Sequence, residues 1–169
     1  MNEPAAAADV FVAPGARLVG DVRLAGDSSV WYSATLRGEA ASVELAAQAN
    51  VQDNALVEAR PGQPVRIGAR VTVGHNATVL GATIEERSLV AIGATVLPGA
   101  HVGSFSIVAA NATVPEGMRV PPRALVIGHG RILREVTQAE IDRIERGADD
   151  YVRLAREHRQ TLVAQRLGD

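Results

Sequence analysis

The sequence predicts an all-β solenoid of six-residue repeats that ends in one α-helix, and three observations predict it. Aliphatic residues recur every six positions over most of the 169-residue chain, a small residue follows at a fixed offset, and an amphipathic stripe replaces the repeat after Val126. The series begins at Val12, Leu18, Leu24, Val30 and Leu36, resumes at Leu45, Val51 and Val57, and resumes again at Ile67, Val73 and Val79. A five-residue step leads to Ile84, after which Val90, Val96, Val102, Val108, Val114, Val120 and Val126 follow at intervals of six. Four places after each member, Ala or Ser fills 13 of the 18 positions from 16 to 124. The 36 Ala and Ser in 169 residues would place about four there, so an Ala-rich composition does not explain the pattern.

A helix repeats every 3.6 residues and a strand every two, so neither gives six. A chain running short strand, sharp turn, short strand around a prism does. The aliphatic residue fills the interior, and a small one sits where the backbone turns inward. Three hexads close one coil, and coils hydrogen-bond to each other about 4.8 Å apart. The 19 hexads then make about six coils whose core is buried only collectively.

Two interruptions break the series. The step from Leu36 to Leu45 is nine residues, and that from Val57 to Ile67 is ten and includes Pro61, Gly62 and Pro64. Proline cannot donate to a ladder, so residues 60–64 are expected to loop out of the prism. Such loops often carry function, the other reading being a plain surface excursion.

After Val126 the period changes. Thr137-Gln138-Ala139-Glu140 reads as a capping box. Ile141, Ile144, Ala148, Val152, Ala155 and Leu162 mark one helical stripe, with Arg143, Glu145, Arg146, Asp149 and Arg153 opposite. Gly147 weakens the middle by about 1 kcal/mol relative to Ala and is where a kink is expected. The chain thus divides into a solenoid, residues 1–136, and a helix packed along it, residues 137–169.

Composition narrows the function. Apolar residues make up 47% but aromatics only 3%, so the core is built from Ala, Val, Leu and Ile. A net charge of −2 offers nucleic acid no basic surface. All 17 basic residues are Arg, which excludes lysine Schiff-base and P-loop lysine chemistry. The absence of Cys excludes disulfides, zinc ribbons and thiol nucleophiles, and is compatible with a reducing compartment. Residues 1–8 lack a basic signal-peptide start, and no apolar run approaches the roughly 20 residues that span a bilayer. These features predict a soluble, cytoplasmic protein with no membrane or nucleic-acid partner.

The stretches Leu36-Arg37-Gly38-Glu39, Asn50-Val51-Gln52-Asp53, Val73-Gly74-His75 and Gly81-Ala82-Thr83-Ile84 resemble the gamma-class carbonic anhydrase family. The likeness runs from about Val12 to Thr137 and includes the five-residue step after Val79. It implies a left-handed parallel β-helix, a homotrimer, and metal sites at the clefts between subunits. In that family three histidines hold zinc or iron, two from one subunit and one from its neighbour. The matching positions here are Glu58, His75 and Leu80; the family's cysteine is Ala82, and its Arg-Gly-Asp is Arg37-Gly38-Glu39.

Only His75 keeps an imidazole, and Leu80 has no lone pair. A catalytic zinc takes three protein ligands and leaves one place for water, so no metal and no other cofactor is expected. The resemblance sets Glu58 and His75 facing each other across a cleft, with Leu80 supplied by the neighbour as an apolar wall that raises the carboxyl pKa. Glu58 and His75 are then the acid–base pair of a cleft that has lost metal-dependent carbon dioxide hydration and acts on, or binds, a small organic molecule. Gln52 orients it, Leu80 and Asp53 line the cleft, and Arg37, Glu39 and Asp53 pair at the subunit boundary. Three other readings stay open: a catalytically silent scaffold trimer, a carbonic anhydrase with metal held weakly by His75 and Glu58, and a hexapeptide acyltransferase using His75 as base. His101, His129 and His158 are expected at the surface, and Trp31 on the prism exterior or at an interface.

Overall fold

Most hexads form a strand of two or three residues and then a turn, because the inward aliphatic side chain and the small corner residue alternate around a triangular coil. The computed structural model describes residues 3–168, with side chains through Leu162. Met1, Asn2 and Asp169, which the bounds 1–136 and 137–169 include, lie outside the described residues.

The coil is a left-handed parallel β-helix with three faces. The first face stacks the opening halves of Arg17–Leu24 and Thr35–Leu45, followed by Leu56–Glu58, Thr78–Leu80, Thr95–Val96 and Thr113–Val114. The second stacks Ala5–Ala6, the closing halves of the same two long strands, Val65–Ile67, Thr83–Ile84, His101–Val102 and Arg119–Val120. The third stacks Phe11–Val12, Ser29–Val30, Asn50–Val51, Thr72–Val73, Leu89–Val90, Ile107–Val108 and Ala124–Ile127. Its seven strands follow from the 19 hexads, because the series both begins on this face, at Val12, and ends on it, at Val126. Arg131–Glu135 closes this face as an antiparallel strand.

Seventeen of the 19 repeat positions are buried. The first two, Val12 and Leu18, are not, since they belong to the terminal coils, which are covered on one side only. Serine at the small positions does more than fit. Ser106 Oγ donates to the Pro121 carbonyl at 3.0 Å and accepts from the Ala124 N–H at 3.1 Å, linking successive corners.

Both interruptions are ordered. The nine-residue step is one continuous strand, Thr35–Leu45, that bends from the first face to the second. Here Gly38 lies so close under the preceding coil that a Cβ would run into the Asp21 carbonyl. The ten-residue step leaves the prism as expected, but as a tight hairpin. Arg60 and Gln63 exchange N–H···O bonds of 2.9 and 2.8 Å around Pro61 and Gly62, and Gly62 takes φ +70°.

The helix α1 spans Gln138–Gly168 and passes Gly147 without interruption. The Thr137 N–H donates to Glu140 Oε2 at 2.8 Å and the Glu140 N–H to Thr137 Oγ1 at 3.3 Å, closing the capping box. Ile141, Ile144, Ala148 and Ala155 are buried against the third face. Arg70 ties α1 to a corner through Glu145 and Asp149, each at 2.7 Å. Trp31 does cover the exterior, buried beneath α1 with ring centroids 5.1 Å from Phe11 and from Tyr151. His158, expected at the surface, is half-buried in this cluster, 5.2 Å from Trp31 between centroids, with Nδ1 2.8 Å from the Tyr32 hydroxyl. Docking of α1 turns its aromatic side inward, which the stripe of aliphatic residues does not reveal. Among the described residues no helix is long and apolar enough to cross a membrane.

Candidate functional site

His75 stands on the corner between the third and first faces, just after Thr72–Val73. One coil earlier, Gln52 and Asp53 follow Asn50–Val51 at the same corner. Asn54 and Asn76 turn the chain there with φ of 59° and 56°, a conformation that Asn tolerates better than most residues. The stacked corners place Asp53 Oδ2 3.1 Å from His75 Nδ1. Gln52 Oε1 accepts the His75 backbone N–H at 3.2 Å, and Gln52 Nε2 donates to Asn50 Oδ1 at 3.1 Å. Asn50 Nδ2 in turn donates to Thr72 Oγ1 at 2.9 Å. Gln52, expected to touch a ligand, is buried with both ends of its amide engaged, so within the chain it holds His75 in place.

The third member of the corner comes from α1. The Tyr151 hydroxyl lies 3.4 Å from His75 Nε2, a loose contact. When Nδ1 carries the proton toward Asp53, Nε2 keeps its lone pair and faces the tyrosine. Burial, and then the negative charge of Asp53, push the Tyr151 hydroxyl above the ordinary tyrosine range, so it stays a proton donor. The His75 ring remains more than a third exposed, within reach of a solute. Sequence reasoning missed Tyr151 altogether, and Asn50 and Thr72 as supports. No spacing ties position 151 to position 75.

The other expected residues gather elsewhere. Arg37, Glu58 and Leu80 are in register on successive strands at the far end of the first face. Contrary to expectation, Leu80 is therefore the neighbour of Glu58 within one chain, and His75 is not. His75 sits in the turn before Thr78–Leu80, the strand that Leu80 ends, so the two stand at opposite ends of that strand. Glu58 also lacks the expected apolar setting: its oxygens face Arg60 at 3.2 Å and Arg37 at 3.9 Å. Arg37 Nε donates to Glu39 Oε2 at 2.9 Å and does not pair with Asp53 in the chain, because Asp53 lies on the His75 corner. His101 points outward and bonds Glu85 at 2.7 Å, and His129 is exposed.

Positions 58, 75 and 80 thus offer a carboxylate engaged by two guanidinium groups, one imidazole and a hydrocarbon side chain. That donor set does not fit an ion held by three imidazoles. Within the chain, and among the described residues, no three His, Cys, Asp or Glu side chains converge as a metal site.

No family model matches the chain. Gamma carbonic anhydrase 2, mitochondrial, of Arabidopsis thaliana is 37% identical over 157 residues, 89% of this chain. The “Probable carbonic anhydrase” of Methanocaldococcus jannaschii is 41% identical over 148 residues, 87% of this chain and 93% of that protein. The chain belongs to the gamma carbonic anhydrase family. It spans 56% of the length of the Arabidopsis family member. Solved structures share the fold of the chain. A candidate acetyltransferase from Bacillus cereus superposes with a TM-score of 0.92 at 28% identity, covering 94% of this chain and 93% of its own. A hexapeptide transferase family protein from Anaplasma phagocytophilum superposes with a TM-score of 0.85 at 30% identity, covering 91% and 92%.

Proposed function

We propose that this gamma carbonic anhydrase family member forms a homotrimer whose seams carry metal-independent acid–base chemistry on a small organic molecule, or bind one. The line Asp53–His75–Tyr151 carries this reading. Asp53 positions the ring, His75 Nε2 is the base, and Tyr151 is the proton donor and carrier beside it. The two halves of the site lie at opposite ends of one face, so a closed head-to-tail ring brings position 75 of one protomer beside positions 58 and 80 of the next. There Glu58 is the second proton-transfer group, held between Arg37 and Arg60, while Leu80 gives the molecule an apolar wall. A lyase, isomerase or cyclase reaction needs no more than such a pair and no cofactor. A cytoplasmic setting belongs to the same proposal, supported by a composition free of Cys.

Elemental analysis, a carbon dioxide hydration assay and light scattering on one purified sample test it. A trimer with well under one zinc or iron per protomer and no hydration activity is expected. About one metal per protomer with hydration activity overturns it. A second reading, a non-catalytic scaffold trimer, is favoured by the ion pairs that occupy Glu58. The likeness to the Anaplasma transferase-family structure supports a third, acyl transfer with His75 as base, which stabilisation by coenzyme A would report.

A further inference from the structure

The helix α1 does not seal the third face. Between them lies a cavity of about 300 Å³ walled by Leu89, Ile107, Leu125 and Ile144, at the lower end of the range for small-molecule sites. Leu89, Ile107 and Leu125 are in register on successive strands, so the wall is one continuous apolar column. Gly147 faces it from the helix, and a Cβ built there meets nothing within 4 Å. Alanine or a larger residue at 147 would favour the helix and also fill the space. The chain forgoes both and keeps the cavity open.

The mouth carries one uncommitted charge. Glu140 is engaged by Arg134 at 2.8 and 2.9 Å and by Thr137. Arg143, one turn before Gly147, lines the same cavity, and its guanidinium has no ion pair or hydrogen bond among the described residues. We infer that the space between α1 and the third face is a binding site for a small apolar monocarboxylate, separate from the His75 corner. The hydrocarbon fills the column of Leu89, Ile107 and Leu125, and the carboxylate takes the Arg143 guanidinium. Gly147 lies one helical turn before Tyr151, so the two sites share α1 as a wall.

Calorimetric titration of the full chain with octanoate, and with octan-1-ol as its uncharged counterpart, tests this. Octanoate is expected to bind saturably, and octanol about tenfold more weakly. Arg143→Gln should bring octanoate down to the octanol level and leave octanol unchanged. Gly147→Leu should abolish binding of both while the circular dichroism spectrum and Tm are kept. Ala110→Leu, at an exposed position on the opposite wall, gives the same reading should the helix variant not fold. No saturable octanoate binding, equal affinity for the two probes, or octanoate binding that survives a folded cavity-filling variant overturns the inference.

Discussion

Asp53 Oδ2 and His75 Nδ1 lie 3.1 Å apart across two successive coils at one corner. Their distance is set by the backbone, since the Asn76 N–H donates to the Asp53 carbonyl at 3.0 Å. A carboxylate on Nδ1 selects the tautomer whose Nε2 accepts protons. In nitrogen-15 NMR spectra, His75 should therefore show predominantly the Nδ1–H tautomer, and Asp53→Asn should shift it toward a mixture. An unchanged tautomer ratio would remove Asp53 from its positioning role.

Turnover or ligand binding at this corner should depend on the whole line. His75→Ala is expected to lower turnover by about 10² or more, the usual share of one acid–base group. Tyr151→Phe keeps the ring that packs on Trp31 and removes only the hydroxyl, so it should lower turnover with little change in Tm. A Tyr151→Phe variant with full activity would restrict the tyrosine to packing.

Restoring donors tests the seam itself. Glu58→His with Leu80→His puts two imidazoles in register on one chain, and a neighbour's position 75 would supply the third. Elemental analysis should find about one zinc per protomer in the double variant and much less in either single variant. A metal-free double variant would mean that position 75 does not meet positions 58 and 80 in the assembly.

The helix cap predicts an acid limb of stability. Hydrogen bonds from Arg134, then the Thr137 N–H, pull the Glu140 carboxyl down to about 2. A carboxyl depressed on folding stabilises above its unfolded pKa and loses that contribution as pH falls through the folded one. The parent Tm should therefore drop below about pH 5 more steeply than that of Glu140→Gln, with the two curves converging only below about pH 2. At neutral pH the variant should be less stable by about 1 kcal/mol, a few degrees in Tm.

Trp31 anchors α1. Its Nε1 donates to Ser29 Oγ at 2.9 Å, and its ring meets Phe11, Tyr151 and His158. Trp31→Ala should cost about 3–5 kcal/mol in denaturant unfolding. It should also release Tyr151 from His75, visible as faster hydrogen exchange along α1.

The prism, its corners and the capped helix were legible in the sequence. A hexad needs only an aliphatic residue facing inward and a small residue at the bend, and the cap needs only Thr137 and Glu140 three places apart. These are contacts within one coil edge or one helical turn, so period and offset encode them. The resemblance likewise pointed to positions 58, 75 and 80 and to Asp53; within the chain Glu58 stands beside Leu80, and Asp53 beside His75.

What the tertiary structure alone decided is who stands beside whom. Leu80 lies next to Glu58 because the ten-residue step between Val57 and Ile67 lengthens that coil and sets which residues of Leu56–Glu58 and Thr78–Leu80 come into register. Arg60 reaches Glu58 because the 60–64 hairpin folds back at the strand end. Tyr151 meets His75, and a cavity remains beside Gly147, because a helix 31 residues long docks on the third face in one particular rotation. Coil stacking and helix docking join residues far apart in the chain through backbone geometry. No local spacing records such contacts.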